Sequence, residues 1–160
     1  MRLLGMTTIM TLALSAAAQA QQAPQQAWGV SDAPQILDNV GWHCALWYGR
    51  TLPMLQLQVR SDRSLLILAA QEFTDVRGGD VATLRFPTGF EARIPIVNAD
   101  GSGAAIVRLS PASVDTLLEN LAAPGVFRVT VSERSVSYPV PDLSAAVGHL
   151  RACESQLPAS

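Results

Sequence analysis

Apolar residues alternate with other residues over much of the chain, the period of two that sets one face of a β-strand against a core. Trp42, Cys44, Leu46 and Tyr48 interleave with His43, Ala45 and Trp47. Both sets are largely apolar, so this segment is expected to lie inside a sheet. Leu55, Leu57 and Val59 alternate with Gln56 and Gln58, and after Arg60-Ser61-Asp62-Arg63 comes the continuous run 65–70, the pattern of a hairpin. Three more strands are predicted over 81–86, 92–97 and 104–109. Their separators, Pro87-Thr88-Gly89-Phe90 and Ala99-Asp100-Gly101-Ser102, are rich in turn formers.

The period then changes. Ser110-Pro111 reads as an N-cap with proline at the first helical position, and Val114, Leu117, Leu118 and Leu121 form an apolar stripe that ends before Pro124-Gly125. Residues 126–132 and 135–138 make a second hairpin around Glu133-Arg134. Pro139-Val140-Pro141 lacks two ladder donors, so that strand is expected to stop at Tyr138. Asp142 is expected to cap a last helix carrying Leu143, Val147, Leu150 and Cys153. Between Trp28 and Val40 the pattern is weak, with a short edge strand at Trp28-Gly29-Val30 and a turn at Asp32-Ala33-Pro34. The predicted fold is mainly β, an antiparallel β-sandwich or partly closed barrel with one inserted and one C-terminal helix.

Residues 1–20 have the layout of a signal peptide. Arg2 precedes an apolar run too short to favour a membrane span, and Ala18-Gln19-Ala20 is a small-x-small cleavage site. Residues 21–27, QQAPQQA, read as a flexible leader, and residues 28–160 as a single β-rich domain with no membrane span after cleavage. The expected location is periplasmic or secreted.

Charge narrows the function classes. The chain has eleven arginines, no lysine and thirteen carboxylates, for a net charge of −2. This argues against nucleic-acid binding, which draws on a cationic excess, and it removes lysine nucleophiles and Schiff bases. No cofactor is indicated.

Two cysteines allow one bridge, and in an oxidising compartment Cys44 and Cys153 are expected to pair. A metal site is the sharper alternative, since His149 and Cys153 stand at i, i+4 and His43 adjoins Cys44. Strand alternation opposes it, because His43 and Cys44 point to opposite faces. No Cys-x-x-Cys, nucleophile elbow or glycine-rich phosphate loop is present.

The hairpins suggest a candidate binding face. A two-residue Asp100-Gly101 turn sets Arg93 opposite Arg108, and matching the inward sets of the preceding hairpin sets Arg85 opposite Arg93. Arg128, on the outward set of its strand, extends the row. Opposed like charges destabilise a sheet, so such a row calls for carboxylates or an anionic ligand.

Trp42 ahead of Cys44, the turn Leu84-Arg85-Phe86-Pro87-Thr88-Gly89-Phe90, Asp100-Gly101 and the closing Asp142-Leu143-Ser144-Ala145-Ala146 helix resemble small secreted Gram-negative proteins of the invasion-associated locus B type. The chain departs from that pattern at Leu109-Ser110-Pro111, where a cysteine pair is expected. The resemblance implies an exported β-rich domain. The expected function is a binding or interaction module without catalysis, its partner an anionic ligand or another exported protein. The alternatives are an inhibitor of an exported cell-wall enzyme, presenting loop 87–90 or 98–103, and an enzyme with a scattered site.

Overall fold

A computed structural model describes residues 26–37 and 41–159; the expected signal peptide and most of the expected leader lie outside the described residues. The elements run β1 (Trp28–Val30), β2 (Gln35–Leu37), β3 (Gly41–Tyr48), β4 (Met54–Val59), β5 (Ser64–Ala69), a 3-10 turn (Gln71–Phe73), β6 (Val81–Arg85), β7 (Glu91–Ala99) and β8 (Ala104–Leu109). Helix α1 (Pro111–Leu121), β9 (Gly125–Val131), β10 (Arg134–Val140) and helix α2 (Ser144–Glu154) complete the chain.

All strand pairs are antiparallel, in the order β1-β3-β4-β5-β8-β7-β6-β9-β10, with β2 also on β3. This is one sheet curled into a half-barrel, the partly closed barrel of the two architectures expected, with the inserted and C-terminal helices in place. The inward sets Leu46, Leu57, Leu66, Leu68, Val107, Leu84, Val129 and Tyr138 line a core completed by Leu118 and Leu121 of α1 and Leu150 of α2. Each such leucine contributes about 1.5–3 kcal/mol on burial.

The two ends of the sheet meet through side chains. Trp28 Nε1 donates to the Pro139 carbonyl at 2.7 Å. The Trp28 and Tyr48 rings lie 5.4 Å apart, and Tyr48 meets Tyr138 edge-on at 5.5 Å. Tyr138 O–H donates to the Met54 carbonyl at 3.3 Å. Aromatic packing thus closes a seam that, among the described residues, no backbone ladder spans.

The disulfide forms between Cys44 of β3 and Cys153 of α2, both fully buried, with Cα atoms 6.0 Å apart. It fixes α2 against the sheet. Ser110 caps α1 by accepting from Ser113 N–H at 3.1 Å, with Pro111 at the first helical position, as expected. Among the described residues no helix is long and apolar enough to cross a membrane.

Four expectations change. Strand β10 continues through Pro139 to Val140; it ends the sheet, so the missing proline N–H deprives no neighbouring strand. Helix α2 begins at Ser144, and Asp142 acts one position further out than expected, accepting from Ser144 N–H at 2.9 Å. Strand β2 gave no periodic signal because all three of its residues are exposed. Trp42 is not core: it lies across from Ile36 and is 45% exposed.

Candidate functional site

The outward residues of β7, β6, β9 and β10 form two rows. Register places Glu91, Arg85, Arg128 and Ser137 across the four strands, and Arg93, Thr83, Thr130 and Ser135 beside them. The expected pairing of Arg85 with Arg93 is therefore shifted by two residues. Phe86 N–H donates to Phe90 O at 2.9 Å and Gly89 N–H to Phe86 O at 2.9 Å, so the hairpin turns within Pro87–Gly89 and brings Glu91, not Arg93, opposite Arg85. Arg93 faces Thr83.

Arg108 does not join the row. Its ladder partner is Leu65 of β5. The β7–β8 connection is longer than two residues: Ala99 pairs with Ala105, and Asp100 Oδ1 accepts from Ser102 N–H at 2.8 Å within the loop. The Ser102 hydroxyl, which also donates to this carboxylate, and then that N–H contact hold the Asp100 carboxyl below its ordinary pKa. A register shift between Ile96 and Asn98 displaces β7 further.

Arg128 is where the outward pattern placed it, directly opposite Arg85. Two guanidinium groups on neighbouring strands repel, and the protein answers only part of that charge. Arg85 Nη2 pairs with Glu91 Oε2 at 2.8 Å and Nε reaches the same oxygen at 3.2 Å. Hydrogen-bonded pairs alternate along an antiparallel ladder, so Phe86–Phe90 being bonded makes Arg85–Glu91 a closer, non-bonded pair. Arg128 has a hydroxyl instead: its Nε donates to Ser137 Oγ at 3.2 Å. Among the described residues no carboxylate is ion-paired with Arg93, Arg108 or Arg128. Thr83, Arg85, Glu91, Arg128, Thr130 and Ser135 line a shallow polar hollow of ≈ 330 Å³. Its chemistry is donor-rich, two arginines and three hydroxyls against one carboxylate.

A second hollow lies on the other side of the same hairpin. Between β7 and α1 a cleft of ≈ 340 Å³ is lined chiefly by Leu84, Phe86, Ile94 and Leu117, with Ser113 and Thr116 on the helix side. Phe90, 41% exposed, stands at its rim with its ring 5.7 Å from that of Phe86. Thr88 ties the loop to the helix by donating to Asn120 Oδ1. Sequence reasoning missed this cleft, because it arises where β7 leaves β8 and no residue type marks that divergence.

His43 is buried, with Nδ1 3.2 Å from the Gly41 carbonyl, while His149 is exposed on α2. Among the described residues no group of three His, Cys, Asp or Glu side chains is placed to hold a metal. No family model matches the chain, and neither a curated protein nor a solved structure shows significant similarity to it.

Proposed function

We propose that this chain is a binding module of the periplasm or the secreted space, working without catalysis, which takes an anionic group of its partner onto the face carrying Arg85, Arg93 and Arg128. The observation that carries this reading is the juxtaposition of Arg85 and Arg128 across β6 and β9 with a single carboxylate nearby. An anion between them removes the cross-strand repulsion and accepts charge-assisted hydrogen bonds. Thr83, Thr130 and Ser135 offer hydroxyls to the same ligand. Export is supported by the signal-like residues 1–20 and by the disulfide, a bond that persists in oxidising compartments.

The test is titration with a sulfated hexasaccharide at low salt, read by calorimetry. The native protein is expected to bind with an affinity that falls as salt rises. Arg128→Ala is expected to lose about tenfold, the scale of one charge-assisted bond. Equal affinity of Arg128→Glu and native protein would overturn the assignment.

A further inference from the structure

The β7 edge beside the apolar cleft is an open half of a ladder. Ile96 N–H donates to Asp80 O at 2.8 Å and Phe86 N–H to Phe90 O at 2.9 Å, so the even-numbered residues of β7 turn their main-chain groups toward β6. The odd-numbered residues Glu91, Arg93 and Pro95 therefore turn theirs the other way. On that side β8 pairs only with Ile96, Asn98 and Ala99. Because Ile96 bonds toward β6, its pairing with Val107 runs through the Pro95 carbonyl, so among the described residues the outer edge is without a neighbouring strand from Glu91 to Ile94.

Two further observations agree. Arg93 is among the residues that line the cleft, and it is exposed between the half-buried Ala92 and Ile94. Ala92 and Ile94 face the core side yet are only half-buried, whereas their cross-strand partners Leu84 and Ala82 are fully covered. Cover is missing at this edge. Four residues at ~3.4 Å each span roughly 14 Å, room for a short extended segment.

We propose that an extended segment of a partner protein adds to this edge as an extra strand, places a bulky apolar side chain in the cleft against Phe86, Ile94 and Leu117, and sets a carboxylate near Arg93. The N–H and carbonyl groups of Glu91 and Arg93 supply the ladder, the cleft of ≈ 340 Å³ supplies side-chain selection, and the guanidinium without a described carboxylate partner supplies charge complementarity. Strand addition needs both backbone donors and a side-chain pocket, and here they share one opening. Pro95 limits the ladder at one end by having no N–H, which shields the edge against indiscriminate pairing. The proposal does not rest on the anion-binding reading.

The test selects from a phage-displayed library of random heptapeptides on the whole protein and follows the best binder by amide hydrogen exchange. Selected peptides are expected to carry one bulky apolar residue and an acidic neighbour, and binding is expected to slow exchange at Arg93. Arg93→Pro, which removes the central one of the two outward N–H groups, is expected to weaken binding at least tenfold. Arg93→Ala, which keeps that N–H, is expected to lose less. Should Arg93→Pro perturb folding, slowed exchange at Arg93 in the native protein still decides the matter. Four results would overturn the proposal: no selected binder, protection at β1 or β10 instead, unchanged affinity of a folded Arg93→Pro, or a dimer paired through β7 that excludes peptide. Arg128→Glu is expected to leave peptide binding intact, so this proposal and the anion-binding reading fail separately.

Discussion

At Gly103 the fold depends on a missing methyl group. The residue has φ +93°, and a Cβ there would stand 2.4 Å from the Ala70 carbonyl oxygen. The close approach is used, since Ala70 N–H donates to Gly103 O at 3.0 Å and so joins the end of β5 to the loop before β8. Gly103→Ala faces both a left-handed backbone and a clash with main chain that has no rotamer to yield. It is expected to cost about 2 kcal/mol or more, measured as a lowered midpoint in urea. Gly29 is different in kind: the Trp47 ring lies over it, 2.5 Å from where a Cβ would be, so the glycine makes room for an aromatic cross-strand neighbour.

Among the elements, the strands whose residues alternate were readable from the sequence, and so was the helix with a Ser-Pro start. Alternation reports burial, so it reached β3 to β10 and was silent on β2, whose three residues are all exposed. Register was less readable. Turn chemistry suggested a two-residue Asp100-Gly101 connection, but the need for Gly103 at Ala70 lengthens the loop, and the shift between Ile96 and Asn98 adds to the displacement. Four outward arginines were identifiable, yet a two-residue slip decides whether Arg85 meets a repelling Arg93 or an attracting Glu91. The free edge of β7 had no signature beyond Pro95.

The Cys44–Cys153 link belongs at this scale as well, because it joins α2 to β3 across 109 residues. For a loop near that length the chain-entropy model gives about 4.7 kcal/mol, drawn from restriction of the unfolded chain. Replacing both cysteines with alanine is expected to lower unfolding free energy by about 3–5 kcal/mol in denaturant titration. Helix α2 is expected to lose protection first in hydrogen exchange, since Arg151, which pairs with Asp115 of α1, offers only an exposed ion pair as a substitute.

For the whole molecule, the seam between sheet ends carries a pH dependence. Burial raises the Tyr138 phenol above its ordinary 10.0. Below that value the phenol is neutral in both the folded and the unfolded chain, and its contribution is fully present. As pH climbs past 10.0 the unfolded chain gives up its proton first, so stability falls with rising pH until the folded phenol also ionises. Urea midpoints are expected to drop between pH 9 and pH 11, and Tyr138→Phe is expected to flatten that decline, though it gives up the bond to Met54. A decline of equal steepness in the variant would place the alkaline sensitivity elsewhere.

The position of the two cysteines also sets an order of events. Cys44 lies on an early strand and Cys153 on the last helix, so the first thiol must wait unpaired while the intervening sheet is synthesised. Both sulfurs end in the core, where an oxidant cannot reach them once the sheet has closed. Oxidation must therefore precede or accompany final packing. A chain that completes its strands early and meets the oxidant late would be left with two inaccessible thiols.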